Sequence, residues 1–158
     1  MFIGPPGTGK SGLAVGLLRQ ALVNGYRARF YKAQELFDEL YASLADRSTS
    51  RLLNRLARYD TLLIDELGYL TLKPEQVNAF FKLMDLRYGR RTSIITTNLD
   101  YPHWYELFQR KPLVDALLDR LQQYCITIRI DGPSLRVPDN DPDSPAPKRP
   151  RKTSNNKK

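Results

Sequence analysis

The stretch GPPGTGKS, residues 4–11, decides how this chain folds. It follows the short apolar stretch at residues 1–3 and precedes leucines and alanines at helical spacing, so it joins a strand to a helix. A glycine, four residues and then Gly-Lys-Ser form the phosphate-binding pattern known as the P-loop. Its glycines let main-chain N–H groups turn toward phosphate oxygens, and the helix N-terminus favours an anion. The stretch therefore predicts a nucleotide-binding α/β protein.

The side chains of this motif have separate tasks in holding a triphosphate. Lys10 is expected to reach the β- and γ-phosphates, and the Ser11 hydroxyl to ligate Mg²⁺. The alternative is a Gly/Pro turn that needs no ligand, but a turn alone does not require Lys and Ser next to each other. The predicted nucleotide-binding residues of the loop are Gly4, Pro5, Pro6, Gly7, Thr8, Gly9, Lys10, Ser11 and Gly12.

Three polar residues follow two strands that are predicted to be buried. The apolar run Thr61–Ile64 ends in Asp65 and Glu66, and successive side chains of a strand point to opposite sides. Asp65 is therefore a candidate Mg²⁺ ligand, and Glu66 a candidate base that polarises a water for attack. Asn98 ends another strand and is placed to touch the γ-phosphate or orient the same water. The alternatives are a solvated strand end for the two acids and an ordinary loop residue for Asn98.

Strands alternate with helices along residues 1–137, which predicts one α/β domain with a parallel sheet. The predicted strands after the P-loop are Ala28–Tyr31, Thr61–Ile64, Ser93–Thr97 and one through Ile126, Ile128 and Ile130. The predicted helices run from Lys10 to about Asn24, over Leu36–Asp46, Thr49–Arg58, Pro74–Gly89, Trp104–Phe108 and Leu113–Leu121. The apolar positions of the first helix are Leu13, Ala14, Leu17, Leu18, Ala21 and Leu22.

The chain has 158 residues and a net charge of +8, from 25 Lys and Arg against 17 Asp and Glu. Residues 138–158 hold five of the 11 prolines and no large apolar residue, which predicts a disordered basic tail. A basic protein is suited to a polyanionic partner such as nucleic acid or a nucleotide. A single cysteine and no apolar run long enough to cross a bilayer predict a cytoplasmic protein without a membrane partner.

Further motifs give the sequence a family resemblance. The chain resembles the AAA+ ATPases of the IstB and DnaC group, and within it the IstB branch. The resemblance covers nearly everything from Phe2 to Arg136 and implies a three-layer P-loop NTPase fold with a short or absent lid. It is carried by GPPGTGKS at 4–11, LLIDELGY at 62–69, SIITTNLD at 93–100, ALLDRL at 116–121 and GPSLR at 132–136.

The resemblance implies ATP and Mg²⁺ as ligands, ATP hydrolysis at the boundaries of a homo-oligomer, assembly on DNA, and activation or recruitment of a transposase. By position, Asn98 is similar to the residue that senses the γ-phosphate, and Arg136 to the second sensor arginine. Arg120 is similar to the arginine finger, which acts on a neighbouring subunit's nucleotide and contributes about 10³- to 10⁵-fold in rate. The alternative for Arg120 is a surface arginine paired with Asp119 or Asp115.

One predicted helix carries a row of arginines that is suited to DNA. Arg51, Arg55 and Arg58 are spaced by four and three residues and share one helical face, with Arg47 nearby in sequence. Related initiator-type ATPases use a helix in this region to touch DNA. Contacts of this kind are directed at phosphates, tolerate any sequence and weaken in salt. The alternative is a solvated helix face, and a second, weaker cationic candidate is formed by Arg87, Arg90 and Arg91.

Family members place a full strand before the P-loop, whereas three residues precede Gly4 here. We therefore expect an N-terminally truncated first strand, which removes sheet pairing and places both stability and ATPase competence in question.

Three other functions compete with the transposition helper. A replicative helicase loader of the DnaC type has the same site and a different partner. A P-loop small-molecule kinase would transfer phosphate to a soluble acceptor and would not need Arg120. A non-enzymatic remnant would bind DNA through its basic surface alone.

Overall fold

The computed structural model describes residues 1–68 and 70–136, without the side chain of Gln122. The tail predicted to be disordered, residues 138–158, lies outside the described residues. In the described part, five strands form the sheet: β1 (Phe2–Ile3), β2 (Ala28–Lys32), β3 (Thr61–Leu67), β4 (Thr92–Thr97) and β5 (Ile128–Arg129). The helices are α1 (Lys10–Val23), α2 (Ala33–Ala45), α3 (Thr49–Ala57), α4 (Pro74–Arg87), α5 (Trp104–Phe108) and α6 (Lys111–Tyr124).

The strands are all parallel and lie in the order β2-β3-β4-β1-β5. This order places β1, which leads into the P-loop, between β4 and β5. The carboxyl ends of β1, β3 and β4 therefore meet at one edge of the sheet, which is where an open α/β sheet binds its ligands. The predicted parallel α/β fold is confirmed.

The sheet is covered on both faces, which gives three layers. Leu62 and Ile64 of β3 belong to the larger core, which is shared with α2 to α6. Leu63, on the opposite face of the same strand, packs with Ala14 and Leu18 of α1 in a smaller core. The continuous apolar run of β3 thus follows from its burial on both sides.

The apolar face predicted for α1 is only partly buried. Ala14 and Leu18 contact the sheet, whereas Leu13, Leu17 and Leu22 are each more than half exposed. The helical spacing predicted the helix correctly but not the number of buried positions, because α1 is the only described helix on its face of the sheet. The last strand is also shorter than predicted, since β5 starts at Ile128.

Arg87 was predicted to belong to a cationic surface, and the structure corrects this. Its guanidinium is buried and donates hydrogen bonds to the carbonyl oxygens of Leu56 and Tyr59 at 2.9 and 2.8 Å, to Ser93 Oγ at 2.9 Å, and to the Thr92 carbonyl. Burial lowers the pKa of Arg87 to about 10. This arginine ties α4 to β4 and to the end of α3.

Among the described residues, the structure contains no helix with the length and hydropathy needed to cross a membrane.

Candidate functional site

The P-loop forms the turn between β1 and α1. Gly7 and Gly9 have φ angles of 83° and 87°, a conformation that glycine adopts far more readily than other residues. A Cβ atom on Gly7 would lie 2.0 Å from Ser134 Oγ. No side chain hydrogen-bonds to the first turn of α1 as a cap, so the N–H groups at this helix end remain available to an anion.

Lys10, the first residue of α1, is buried under the loop. Its Nζ donates to the Pro5 carbonyl oxygen at 2.5 Å, and Thr8 Oγ1 donates to the same oxygen at 2.9 Å. Burial lowers the pKa of Lys10, an effect that Asp65 opposes and Arg136 reinforces. A buried ammonium bound to one carbonyl is suited to an anionic ligand, because the ligand would supply the negative charge that the loop lacks.

Asp65 lies across the sheet edge from the P-loop and is 5% exposed. Thr96 of β4 donates from Oγ1 to its carboxylate at 2.5 Å. In the described part of the chain, no Lys, Arg or His nitrogen lies within 4 Å of this carboxylate. A buried carboxylate without a paired cation is costly and is suited to binding a metal ion.

Glu66 is adjacent to Asp65, but its side chain is exposed whereas that of Asp65 is buried. The register between β3 and β4 shifts between Ile64 and Leu67, and Glu66 has a φ of 60°. This conformation costs a residue other than glycine about 1–2 kcal/mol. The Glu66 N–H donates to Thr96 Oγ1 at 2.9 Å, so Thr96 positions both acids.

Asn98 follows β4 and contacts the loop after β3. A Cβ atom on Gly68 would lie 2.5 Å from Asn98 Oδ1, so the two residues are packed directly against each other. Gly68 is two residues beyond Glu66. The Asn98 amide is therefore held beside the strand end that carries both acids, as the sequence predicted.

The segment after β5 lies over the P-loop. The Leu135 N–H donates to the Gly7 carbonyl oxygen at 2.9 Å, and a Cβ on Gly9 would be 3.5 Å from Leu135 Cδ1. Arg136 is close enough to lower the pKa of Lys10 through charge repulsion. The structure thus places the segment that carries Arg136 beside the P-loop.

Arg120 lies away from the P-loop. Its NH1 atom is 2.7 Å from Asp85 Oδ1, and its guanidinium lies over the Tyr88 ring. Both partners are on or next to α4, so the pairing predicted as an alternative, with Asp115 or Asp119, is wrong. Arg120 lines a groove with Met1 at the amino edge of the sheet, the edge opposite the P-loop. It does not reach the site of its own chain.

The arginines predicted to bind DNA are exposed, but they are not equivalent. Arg55 forms an ion pair with Glu39. Neither Arg51 nor Arg58 has a carboxylate within 4 Å among the described residues. Arg47 lies in the turn between α2 and α3. Three leucines of α3 are buried, as expected for its inner face: Leu52, Leu53 and Leu56.

Sequence reasoning missed two positioning residues of the site, Thr96 and Gly68. Gly68 lies in the motif at residues 62–69 and Thr96 in the motif at residues 93–100. In both motifs, the neighbouring carboxylate and amide side chains have the more recognisable roles. A threonine in a β-strand is an ordinary packing residue, and only the bonds to both acids distinguish Thr96. For Gly68, the signal was a glycine directly after a strand, which often marks a close approach.

Comparisons with known proteins show the family of this chain. The model of the family described as IstB-like ATP binding protein matches residues 1–141. The chain belongs to this family. It is 38% identical over 141 residues to an ATP-binding protein of insertion sequence IS232 from Bacillus thuringiensis subsp. berliner, covering 89% of this chain and 56% of the relative. It is 34% identical over 137 residues to the IS21 ATP-binding protein of Pseudomonas aeruginosa, covering 87% and 52%. The chain thus spans about half the length of these curated relatives.

Solved structures show the same fold for this IstB-like chain. The DnaC helicase loader superposes with a TM-score of 0.68 at 24% identity, covering 82% of this chain and 76% of that chain. AMPPCP-bound DnaA from Aquifex aeolicus gives a TM-score of 0.66 at 22% identity, covering 82% and 39%. At this identity the likeness establishes the fold alone, which is that of an AAA+ P-loop protein.

Proposed function

We propose that this chain is the ATP-binding and ATP-hydrolysing part of an AAA+ helper protein of transposition, which assembles on DNA and activates or recruits a transposase. The observation that carries the proposal is the arrangement of Lys10 under the P-loop, with Asp65 and Glu66 across the sheet edge. The membership in the IstB-like family supports ATP as the ligand. The names of the curated relatives support the setting of an insertion sequence.

The residues of the site fit a triphosphate with Mg²⁺. The uncapped N–H groups of α1 and the Lys10 ammonium would bind the phosphates. Ser11 and Asp65 would hold the metal ion. The described residues contain no group of three or more His, Cys, Asp or Glu that could form a metal cage. This matches Mg²⁺, which takes most of its ligands from phosphate and water.

Hydrolysis needs a general base and a residue that contacts the γ-phosphate. Glu66 is exposed beside the strand end, where it would accept a proton from the attacking water. Asn98 would orient that water or contact the γ-phosphate from the neighbouring strand. Arg136, held over the loop by the Leu135 bond to Gly7, would add positive charge at the phosphates. Mg²⁺, when bound, would neutralise charge on the phosphate oxygens.

Replacing Glu66 by Gln is expected to keep ATP binding within about threefold and to lower turnover about 10²- to 10⁴-fold, because general base catalysis contributes that much. Binding is measured by calorimetry with Mg²⁺ and a non-hydrolysable ATP analogue, and turnover by phosphate release. Glu75→Gln, an exposed acid in the first turn of α4, is the matched control and should behave as wild type. Equal loss of binding and turnover in Glu66→Gln would contradict the role of a base.

The partner is tested by copurification. We expect the tagged chain, with Mg²⁺ and ATP, to retain the transposase encoded by the same element, and Lys10→Ala to retain none. Retention of a replicative helicase instead would support the loader function, to which the fold of DnaC gives a structural parallel. Phosphate transfer to a small acceptor, without effect of DNA or of Arg120, would indicate the kinase.

A further inference from the structure

The parallel pairing of β3 with β4 is interrupted at the two acids of the site. Ile64 pairs with Ile95, and the next pair is Leu67 with Thr97. Two residues of β3 therefore lie opposite one residue of β4, which is Thr96. Such a β-bulge inserts one extra residue into a strand, and bulges are frequent next to active sites, where they redirect a side chain.

The bulge decides which side chain enters the larger core. Leu62 and Ile64 belong to that core, and regular alternation would direct Glu66 into it next. Because of the extra residue, Leu67 takes this position and is fully buried, whereas the Glu66 side chain is exposed. A carboxylate inside an apolar core would be strongly disfavoured. The bulge therefore makes the Glu66 carboxylate accessible near the carboxyl end of β3.

The Thr96 hydroxyl contacts both residues of the bulge. It accepts a hydrogen bond from the Glu66 N–H at 2.9 Å and donates one to Asp65 Oδ1 at 2.5 Å. A hydroxyl has a single proton, so donation to Asp65 leaves its lone pairs for the Glu66 N–H. Thr96 is 1% exposed and Asp65 is 5% exposed, so water does not readily replace these bonds.

Glu66 needs this support because its backbone has a conformation that glutamate rarely adopts. Its φ of 60° lies in the left-handed region, which a residue other than glycine keeps only where its surroundings enforce it. The bond to Thr96 involves the N–H of this same residue. Without the hydroxyl, the N–H would lose its partner, and an unpaired polar group destabilises the conformation that leaves it unpaired.

We infer that Thr96 is a positioning residue for ATP hydrolysis, because its hydroxyl holds the bulge that directs the Glu66 carboxylate to the attacking water. The inference rests on the proposed function of Glu66 as the general base. It adds a residue of the neighbouring strand that acts through Glu66 and not on the substrate. Without the hydroxyl, the backbone of Glu66 would leave the left-handed region, and its carboxylate would move away from the water.

The first test compares substitutions that remove or keep the hydroxyl. Thr96→Val keeps the branched shape, and its turnover at saturating ATP should fall about 10²-fold, the cost of displacing a reacting group by about 1 Å. Thr96→Ser keeps the hydroxyl and should retain most of the turnover. The matched control is Thr61→Val, the same substitution at a buried threonine at the amino end of β3, which should behave as wild type.

A double-variant cycle shows whether Thr96 acts through Glu66. In the Glu66→Gln background the base is already lost, so adding Thr96→Val should lower turnover by less than about threefold further. An equal loss in both backgrounds would show that Thr96 acts independently of Glu66 and would overturn the inference.

Amide hydrogen exchange of the chain without nucleotide tests the contact itself. The Glu66 N–H should exchange slowly in wild type and in Thr96→Ser, and about tenfold faster or more in Thr96→Val, because local opening controls exchange. The N–H of Leu63, in the regular part of β3, should stay protected in every variant and so report an intact sheet. Equal exchange of the Glu66 N–H in wild type and Thr96→Val would overturn the positioning role.

The outcomes separate this inference from the proposed function. Wild-type turnover that Thr96→Val keeps would overturn the role of Thr96 and leave Glu66 as the base. Wild type without turnover at any protein concentration, with or without duplex DNA, would overturn the proposed hydrolysis and this inference with it. Loss of turnover in Thr61→Val to the same extent as in Thr96→Val would show a general effect of packing in the sheet and would also overturn the role of Thr96.

Discussion

Replacing Lys10 by Ala is expected to abolish ATP binding and, with it, all turnover. The Lys10 ammonium would contact the β- and γ-phosphates, and each hydrogen bond to a charged group is worth about 1.5–3 kcal/mol. Two such bonds correspond to about 10²- to 10⁴-fold in affinity, which moves binding out of the range of calorimetry. The measurement is titration with Mg²⁺ and an ATP analogue, followed by a turnover assay.

The control for Lys10→Ala is a measurement of the stability of the fold. Burial lowers the pKa of Lys10 in the folded chain, so the unfolded chain binds this proton more tightly. At pH values below the lowered pKa, the charged lysine therefore reduces the free energy of unfolding. Lys10→Met keeps most of the apolar stem, and we expect it to unfold no more easily than wild type. Lys82→Ala, an exposed lysine of α4, should bind ATP normally. Normal binding in Lys10→Met would contradict the proposed nucleotide site.

The parts of the fold that sequence predicted well depend on local patterns. Leu62, Leu63 and Ile64 are apolar in succession because β3 is buried on both faces, and the P-loop joins β1 to α1 because its glycines permit φ angles that other residues avoid. The inner leucines of α3 follow from their spacing alone. Each of these patterns is contained in about ten residues.

What sequence did not predict depends on contacts between distant elements. The exposed Leu13 and Leu17 of α1 have helical spacing, but periodicity does not show whether a second element covers them. Arg87 was predicted to be a surface charge, because two of its carbonyl partners, Leu56 and Tyr59, lie 31 and 28 residues earlier in the chain. Thr96 is decisive for the same reason, since it joins the two acids of β3 from the adjacent strand.

Replacing Arg120 by Ala is expected to lower ATP turnover about 10³- to 10⁵-fold, the contribution of an arginine finger supplied in trans. Arg120 lies at the edge of the sheet opposite its own P-loop, and we propose that it acts on the nucleotide of another subunit. Wild-type turnover per subunit should therefore rise with protein concentration, and that of Arg120→Ala should not. ATP binding should remain, because Arg120 contacts no residue of its own site.

A change in the stability of the fold would not explain such a loss of ATP turnover in Arg120→Ala. The ion pair with Asp85 is exposed on both sides, and exposed pairs contribute about 0.2–1 kcal/mol. Asp85→Asn removes the same pair while leaving Arg120 in place, so it is the matched control and should retain turnover. If Asp85→Asn loses as much activity as Arg120→Ala, the ion pair is structural and the finger is elsewhere.

Mixing two inactive variants decides whether the arginine acts between subunits. Arg120→Ala keeps an intact site and lacks the finger, whereas Glu66→Gln lacks the base and keeps the finger. In a mixed oligomer, Arg120 of a Glu66→Gln subunit would reach the intact site of an Arg120→Ala neighbour, so turnover should reappear at a level set by the mixing ratio. An arginine that acts within its own chain gives no recovery at any ratio, because every subunit in the mixture then has one defective part.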